Sequence, residues 1–235
     1  MMQVIVTTHS NPLWLARCKA SLRNYLPPDC TIHVESEVDE RSWKDNLLEG
    51  LAKCKGPLVF VIQDDAQLMC LRPSWIQELA QPFADDPLVA VSCMTATQCG
   101  YPHQSVRLAL PPGPYYTSQF IPIAFMARVE QLRAAVGEME DDLTGDHEPS
   151  LYLLTHGYKI VMNTHLPVYH EGMQTNLRVY GKDDVSGYLD KAKAECIARI
   201  RAKYDPVWIQ RMESLEMVPM VNFLKKTAEG LQVTL

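Results

Sequence analysis

The first glycine of this 235-residue chain is Gly50. The turn after the first apolar segment is therefore not the glycine-rich cradle of a Rossmann dinucleotide site or a P-loop. Both need backbone amides that approach phosphate with no Cβ in the way. That counts against NAD-dependent dehydrogenases and P-loop kinases. A Gly-x-Ser-x-Gly nucleophile elbow is also missing. No apolar run approaches the ~20 residues of a membrane-spanning helix, so no membrane insertion is expected. The segment Met1-Met2-Gln3-Val4-Ile5-Val6 lacks the basic region and cleavage site of a signal peptide and reads as a first strand. Seven cysteines (18, 30, 54, 70, 93, 99 and 196) form no Cys-x-x-Cys pair and are odd in number. Free thiols in a reducing, cytoplasmic compartment are the expectation. Cys93, Cys99 and His103 do not have standard zinc-site spacing and read as scattered thiols. A net charge of −6 speaks against a nucleic-acid backbone as the main partner.

What is present is an ordinary globular composition, 47% apolar and 21% charged, enough for one large domain with a small appendage. The first half alternates strand and helix. Residues 3–8 read as a strand, with Ser10 or Asn11 capping a helix that begins near Pro12 and buries Leu15, Cys18, Leu22 and Tyr25. A strand over 31–35, a helix over 42–53, a strand over 58–62, a helix near 74–83 and a strand near 88–93 follow. That order predicts a parallel sheet with right-handed crossovers. Residues 97–117, rich in proline and tyrosine, read as a long irregular loop. Then come a strand over 119–126, a helix over 128–136, an acidic turn-rich stretch over 137–149 and a short helix ending at His156-Gly157. Short strands over 158–162 and 166–169 precede two charged helices near 188–203 and 206–215.

The most informative segment is Leu58-Val59-Phe60-Val61-Ile62, which runs directly into Gln63-Asp64-Asp65. A short, continuous, β-branched run is the pattern of a strand buried on both faces. In open α/β sheets ligands bind beyond the carboxyl ends of such strands. Adjacent carboxylates there repel unless something positive sits beside them. A divalent ion carrying a diphosphate meets that need, since hard oxygen ligands suit Mg²⁺ or Mn²⁺. The same residues also read as an acidic turn in which Asp65 caps a local amide.

Taken in order, four pieces of residues 3–172 resemble a family 2-type glycosyltransferase of the GT-A fold. Val4-Ile5-Val6-Thr7-Thr8-His9-Ser10-Asn11-Pro12 is similar to the family's opening strand and turn. Gly50 to Gly56, followed by Val59-Phe60-Val61-Ile62-Gln63-Asp64-Asp65, resembles its helix, strand and DxD-type motif. Gly145-Asp146-His147-Glu148 before Gly157-Tyr158-Lys159-Ile160 is similar to an acidic pair ahead of a strand start, and Pro167-Val168-Tyr169-His170 to a late strand that delivers a histidine. Gln63 and Gly145 stand where the family usually has acids, and the arginine-asparagine element of the second helix is poorly matched. The resemblance implies a mostly parallel central sheet flanked by helices with a C-terminal helical appendage. It divides the chain into a GT-A domain over 1–175 (nucleotide-binding half about 1–96, acceptor-side half about 97–175) and a helical extension over 176–235.

It also implies metal-dependent transfer of a sugar, hexosyl or related, from a nucleoside-diphosphate sugar, with UDP the expected nucleotide, to an acceptor hydroxyl. Asp65, with Asp64 in support and His170, would hold Mn²⁺ or Mg²⁺. Asp146, and after it Glu148, would take the acceptor's proton; Asp146 equally reads as the cap of the following helix, and Asp141 and Asp142 as solvated loop acids. Glu35 would accept the ring N–H of uracil or guanine, with Thr7, Thr8 and His9 framing the base; its other reading is an exposed loop acid. Lys44, and loosely Arg41, would meet the diphosphate. Tyr115 and Tyr116, held by a proline-rich loop, would stack on a sugar or base. Two other functions fit parts of the pattern. One is a non-catalytic sugar-nucleotide-binding module, favoured by Gln63 and Gly145. The other is a transferase acting on a nucleic-acid acceptor such as a modified DNA base, favoured by the basic residues over 188–211.

Overall fold

Val4, Ile5 and Val6 and the run Val59 to Ile62 are fully buried, and these two strands lie side by side inside the sheet. The computed structural model describes residues 2–8, 11–36, 42–97, 110–140, 147–171 and 185–220. The elements run β1 (Gln3–Thr8), α1 (Pro12–Tyr25), β2 (Thr31–Ser36), α2 (Trp43–Lys53), β3 (Leu58–Gln63), β4 (Ala66–Leu68), α3 (Trp75–Asp85) and β5 (Val89–Ala96). The second half holds β6 (Pro114–Thr117), β7 (Ala124–Arg128), α4 (Val129–Gly137), α5 (His147–Thr155), β8 (Lys159–His170), α6 (Val185–Lys203), α7 (Pro206–Glu213) and β9 (Met217–Pro219).

The sheet order is β2-β1-β3-β7-β5-β8-β6-β9, with β4 paired to β8. The first three strands are parallel, as their alternation with helices predicts. β7 then enters antiparallel between β3 and β5, so the sheet is mixed. β5 and β8 run parallel to each other, and β6 and β4 run against β8. The expected strand over 119–126 begins only at Ala124, because Pro122 has no N–H for a ladder. The two short strands expected over 158–169 are one strand, β8. Its pairing with β5 jumps from Asn163 to Pro167, an irregularity in the ladder that leaves Leu166 buried in the core.

Local chemistry accounts for the helix ends. Asn11 accepts the N–H groups of Leu13 and Trp14 at 3.2 and 3.4 Å, and Ser42 accepts that of Asp45 at 3.1 Å. Gly50 lets α2 lie on β1: a Cβ there would stand 2.9 Å from Cγ2 of Ile5. Trp75 is buried edge-on to Phe60 with ring centroids 5.4 Å apart, pinning α3 to the sheet. The C-terminal segment makes its own small core. Ile200, Ile209 and Met212 pack on Leu151 and Leu154 of α5, and β9 joins the sheet beside β6. No helix of the described residues is long and apolar enough to cross a membrane, and no disulfide joins the described cysteines.

Candidate active site

The carboxylates of Asp64 and Asp65 occupy the two-residue turn between β3 and β4, at the carboxyl edge of the parallel strands. Asp64 extends the β1–β3 ladder by one bond, its N–H donating to the Thr7 carbonyl at 2.9 Å. Its side chain is 1% exposed and accepts the Thr8 hydroxyl at 2.5 Å. The turn is held from below by α1. Ser21 Oγ donates to the Cys18 carbonyl at 2.8 Å and accepts the N–H of Leu68 at 3.1 Å, fixing β4 against the helix. The buried Cys18 thiol lies 3.7 Å from the Gln63 carbonyl. Burial, and then the negative fields of Asp64 and Asp65, push that thiol up to about 12. It is a protonated floor to the site.

The β4–β8 ladder pairs Ala66 with His170 and so delivers the imidazole to Asp65. His170 Nε2 stands 3.3 Å from Asp65 Oδ2, and the His170 N–H donates to Thr97 Oγ1 at 3.1 Å. Glu171 donates its N–H to the Asp65 carbonyl at 3.1 Å, and its carboxylate lies 3.7 Å from Arg17. Asp65 is 5% exposed, and its Oδ1 is buried with no hydrogen-bond partner. Among the described residues no three His, Cys, Asp or Glu side chains form a closed metal cage. The pair nevertheless fits a hard cation. Mg²⁺-like ions are held by one or two carboxylates and complete their shell with substrate phosphate and water. The unsatisfied Asp65 Oδ1 is a donor atom in search of a positive partner.

Glu35 is buried rather than exposed on a loop. It sits at the carboxyl end of β2, in register with Thr7, and both its oxygens accept from Lys53 Nζ at 2.8 Å. Lys53 also reaches Glu49 at 3.1 Å, and the hydrogen bond it donates to Glu35 holds its ammonium above the ordinary lysine range. Thr7 Oγ1, buried beside Glu35 in this register, has no partner. A carboxylate carries about four acceptor sites, so Glu35 retains capacity beyond Lys53. Lys53 could not be read in this position from local pattern, since it lies 18 residues away on another element.

Other expected residues have partners of their own. Lys44 donates to the Met139 carbonyl and ties α2 to the end of α4. Glu148 is 2% exposed; it accepts the Glu140 N–H at 2.7 Å and lies 3.2 Å from Lys203. Tyr115 and Tyr116 are not loop residues: they pair in β6 between β8 and β9, because their alternating partners Met162 and Val161 supply a ladder. The Tyr115 hydroxyl donates to the Pro111 carbonyl at 2.9 Å. The Tyr116 hydroxyl donates to Asp86 at 2.8 Å, and Lys159 bridges to the same carboxylate at 2.7 Å. Tyr116 faces Val161, near the start of β8, whereas His170 ends it. The structure therefore does not bring Tyr116 to the Asp64–Asp65 turn. His9, Arg41, Asp141, Asp142 and Asp146, with Cys99 and His103, lie outside the described residues.

No family model matches the sequence, and no curated protein matches it in sequence. Solved structures do share its fold. A mannosyltransferase of Pyrobaculum calidifontis, PcManGT, in complex with GDP-Man and Mn²⁺, matches with a TM-score of 0.54 over 91% of this chain and 78% of that one, at 13% identity. GalNAc-T7 with UDP, GalNAc and Mn²⁺ matches with a TM-score of 0.52 over 82% of this chain, at 12% identity. The chain spans about half the length of GalNAc-T7, 48% of it. The mixed sheet flanked by helices is thus the GT-A architecture of these glycosyltransferases.

Proposed function

We propose that this protein transfers a sugar from a nucleoside-diphosphate sugar, with UDP the preferred carrier, to an acceptor hydroxyl in a metal-dependent reaction. The observation that carries the reading is the Asp64–Asp65 turn. Two buried carboxylates stand at the carboxyl edge of the sheet with His170 Nε2 3.3 Å from Asp65. The chain's shared fold with structures solved with Mn²⁺ and UDP or GDP-Man supports it.

Asp65 and His170 would hold Mn²⁺ or Mg²⁺, which when bound supplies Lewis-acid neutralisation of the diphosphate leaving group. Asp64, fixed by Thr8, keeps the turn in one geometry and adds negative charge beside the cation. Glu35 would accept the N3–H of uracil beside Thr7, while Lys53 holds the carboxylate oriented. Asp146 would take the acceptor's proton as its oxygen attacks the anomeric carbon in an inverting reaction. Glu148 is better suited to holding structure than to that step, because both its oxygens already have partners.

The test is thermal. UDP should raise the melting temperature more with Mn²⁺ than with EDTA, by up to ~2.7 kcal/mol of stabilisation at 100 times its Kd. Asp65→Asn should abolish the difference. Equal stabilisation by UDP in Mn²⁺ and in EDTA refutes the metal-bridged reading. Metal-dependent binding with no turnover of any nucleotide-sugar leaves a binding module.

A further inference from the structure

A guanidinium stands beside the Asp64–Asp65 turn. It belongs to Arg17 of α1, and its place is fixed from two directions. The next residue, Cys18, is buried with its thiol 3.7 Å from the Gln63 carbonyl, and Ser21, one turn on, accepts the Leu68 N–H at 3.1 Å. This stretch of α1 therefore lies along the β3–β4 turn. From the other side, Glu171 follows His170 and donates its N–H to the Asp65 carbonyl at 3.1 Å. The Glu171 carboxylate lies 3.7 Å from the Arg17 guanidinium.

This guanidinium is weakly engaged. It is half exposed, its contact with Glu171 is too long for a hydrogen bond, and no hydrogen bond among the described residues uses its N–H donors. Exposed ion pairs of this kind hold loosely. Arginine is matched instead to phosphate, whose oxygens take two of its N–H groups at once. The surrounding charge favours such an exchange. Asp64, Asp65 and Glu171 bring three carboxylates to the turn. With a divalent ion on Asp65, Glu171 gains a stronger positive neighbour and Arg17 a like charge. The order of the strands then says which phosphate Arg17 meets. Glu35 ends β2 with Thr7 beside it on β1, Asp64 and Asp65 follow β3, and Glu171 follows β8, farther along the sheet. A nucleotide with its base at Glu35 and its metal at Asp65 has its outer phosphate on the Arg17 side.

We propose that Arg17 binds the outer phosphate of the donor nucleotide, and that through it the protein tells a nucleoside diphosphate from a monophosphate. Glu171 is the counter-charge that the phosphate replaces. The proposal rests on the transferase reading above. It gives the diphosphate a cation that Lys44 does not supply, since Lys44 donates to the Met139 carbonyl. Arg17 belongs to no motif of the sequence; it stands on a helix 47 residues before Asp64, and only the fold brings Glu171 to it.

The test is calorimetry on the full chain as wild type, Arg17→Gln, Arg17→Lys and Glu171→Gln. UDP, GDP, UMP and GMP are titrated in the presence of Mn²⁺, and Mn²⁺ is titrated alone. Wild type should bind a diphosphate more tightly than its monophosphate. Arg17→Gln should weaken diphosphate binding about 10-fold or more and leave monophosphate binding within about 2-fold. Arg17→Lys should recover only part of the loss, because an ammonium is a point charge without the two-pronged fit; it serves in place of the Gln variant if that one does not fold. Glu171→Gln should keep diphosphate affinity or raise it, and Mn²⁺ alone should bind Arg17→Gln no more weakly than wild type. Diphosphate affinity that survives Arg17→Gln refutes the proposal and leaves the transferase reading standing. Equal losses for diphosphate and monophosphate refute the choice of the outer phosphate. Weaker diphosphate binding in Glu171→Gln refutes the exchange of partners. A wild-type protein that binds no nucleoside diphosphate with Mn²⁺ refutes the transferase reading, and the proposal with it.

Discussion

Thr8→Val tests the Asp64 arrangement with almost no change of shape. Valine replaces one hydroxyl by a methyl and keeps the β-branch, so strand preference and side-chain rotamer are retained. What is lost is the 2.5 Å hydrogen bond to a carboxylate that is 1% exposed. Hydrogen bonds to charged groups contribute about 1.5–3 kcal/mol, and the whole of that range applies where water cannot replace the donor. A chain of this size shifts by about 2–4 °C per kcal/mol, so the melting temperature should fall by about 3–12 °C. Urea unfolding should show the same loss as a lower midpoint with an unchanged slope. Thr8→Ser is the control. It keeps the donor, gives up one buried methyl worth about 0.8 kcal/mol, and should fall less than Thr8→Val. If Thr8→Val unfolds within about 0.5 kcal/mol of wild type, the hydroxyl is not a net stabiliser of Asp64 and the reasoning fails.

Three further outcomes are expected. Glu35→Ala should weaken UDP binding in calorimetry by about 10-fold or more through the lost charge-assisted acceptor, with Mn²⁺ affinity unchanged; unaltered UDP affinity removes Glu35 from base recognition. Asp146→Asn should lower kcat by ~10²–10⁴ with donor affinity intact, since asparagine caps a helix about as well as aspartate; a wild-type rate with the true acceptor removes it from the mechanism. Burial, then the hydrogen bond and charge of Asp86, push the Tyr116 phenol far above its ordinary value of 10.0. The folded state thus binds that proton more tightly than the unfolded one. Its stabilisation is complete below pH 10 and declines as the pH rises beyond that value, so wild type should lose stability above pH 10 more steeply than Tyr116→Phe in melting-temperature scans. Parallel slopes refute the assignment.

The legible parts of the fold are those with long local signals. β3 and its Asp64-Asp65 turn announce themselves because a strand buried on both faces needs an unbroken apolar run. The caps at Asn11 and Ser42 are equally local. β4 and β9 are three residues each and carry no periodicity to read. The direction of β7 was hidden for another reason: its own residues suit either orientation, and its place is set by β3 and β5 on its two sides. In the site, Asp65 and His170 were paired through the family resemblance. The partners that define the environment, Thr8 on Asp64, Lys53 on Glu35 and Lys203 on Glu148, were not read from the sequence. Each joins groups 18 to 56 residues apart, and no spacing rule reaches that far. Tyr115 and Tyr116 misled because nearby prolines resemble a loop, while the ladder that captures them comes from β8 and β9.

The placement of β7 also has a temporal side. β3 and β5 point the same way but never touch as neighbours; β7 fills the gap between them. On a growing chain, β3 gains β1 as soon as it emerges, yet one whole edge of its apolar run stays open. That edge is covered only when Arg128 has been made, ~65 residues after Gln63, or roughly 3–13 s later at ordinary elongation rates. During that interval Val59, Phe60, Val61 and Ile62 present an unpaired apolar strand edge. Nascent chains stalled after β3 and before β7 has been added are therefore the ones expected to recruit chaperones most strongly. A fragment ending near residue 96 keeps the two carboxylates but lacks the strand that seals the sheet beside them.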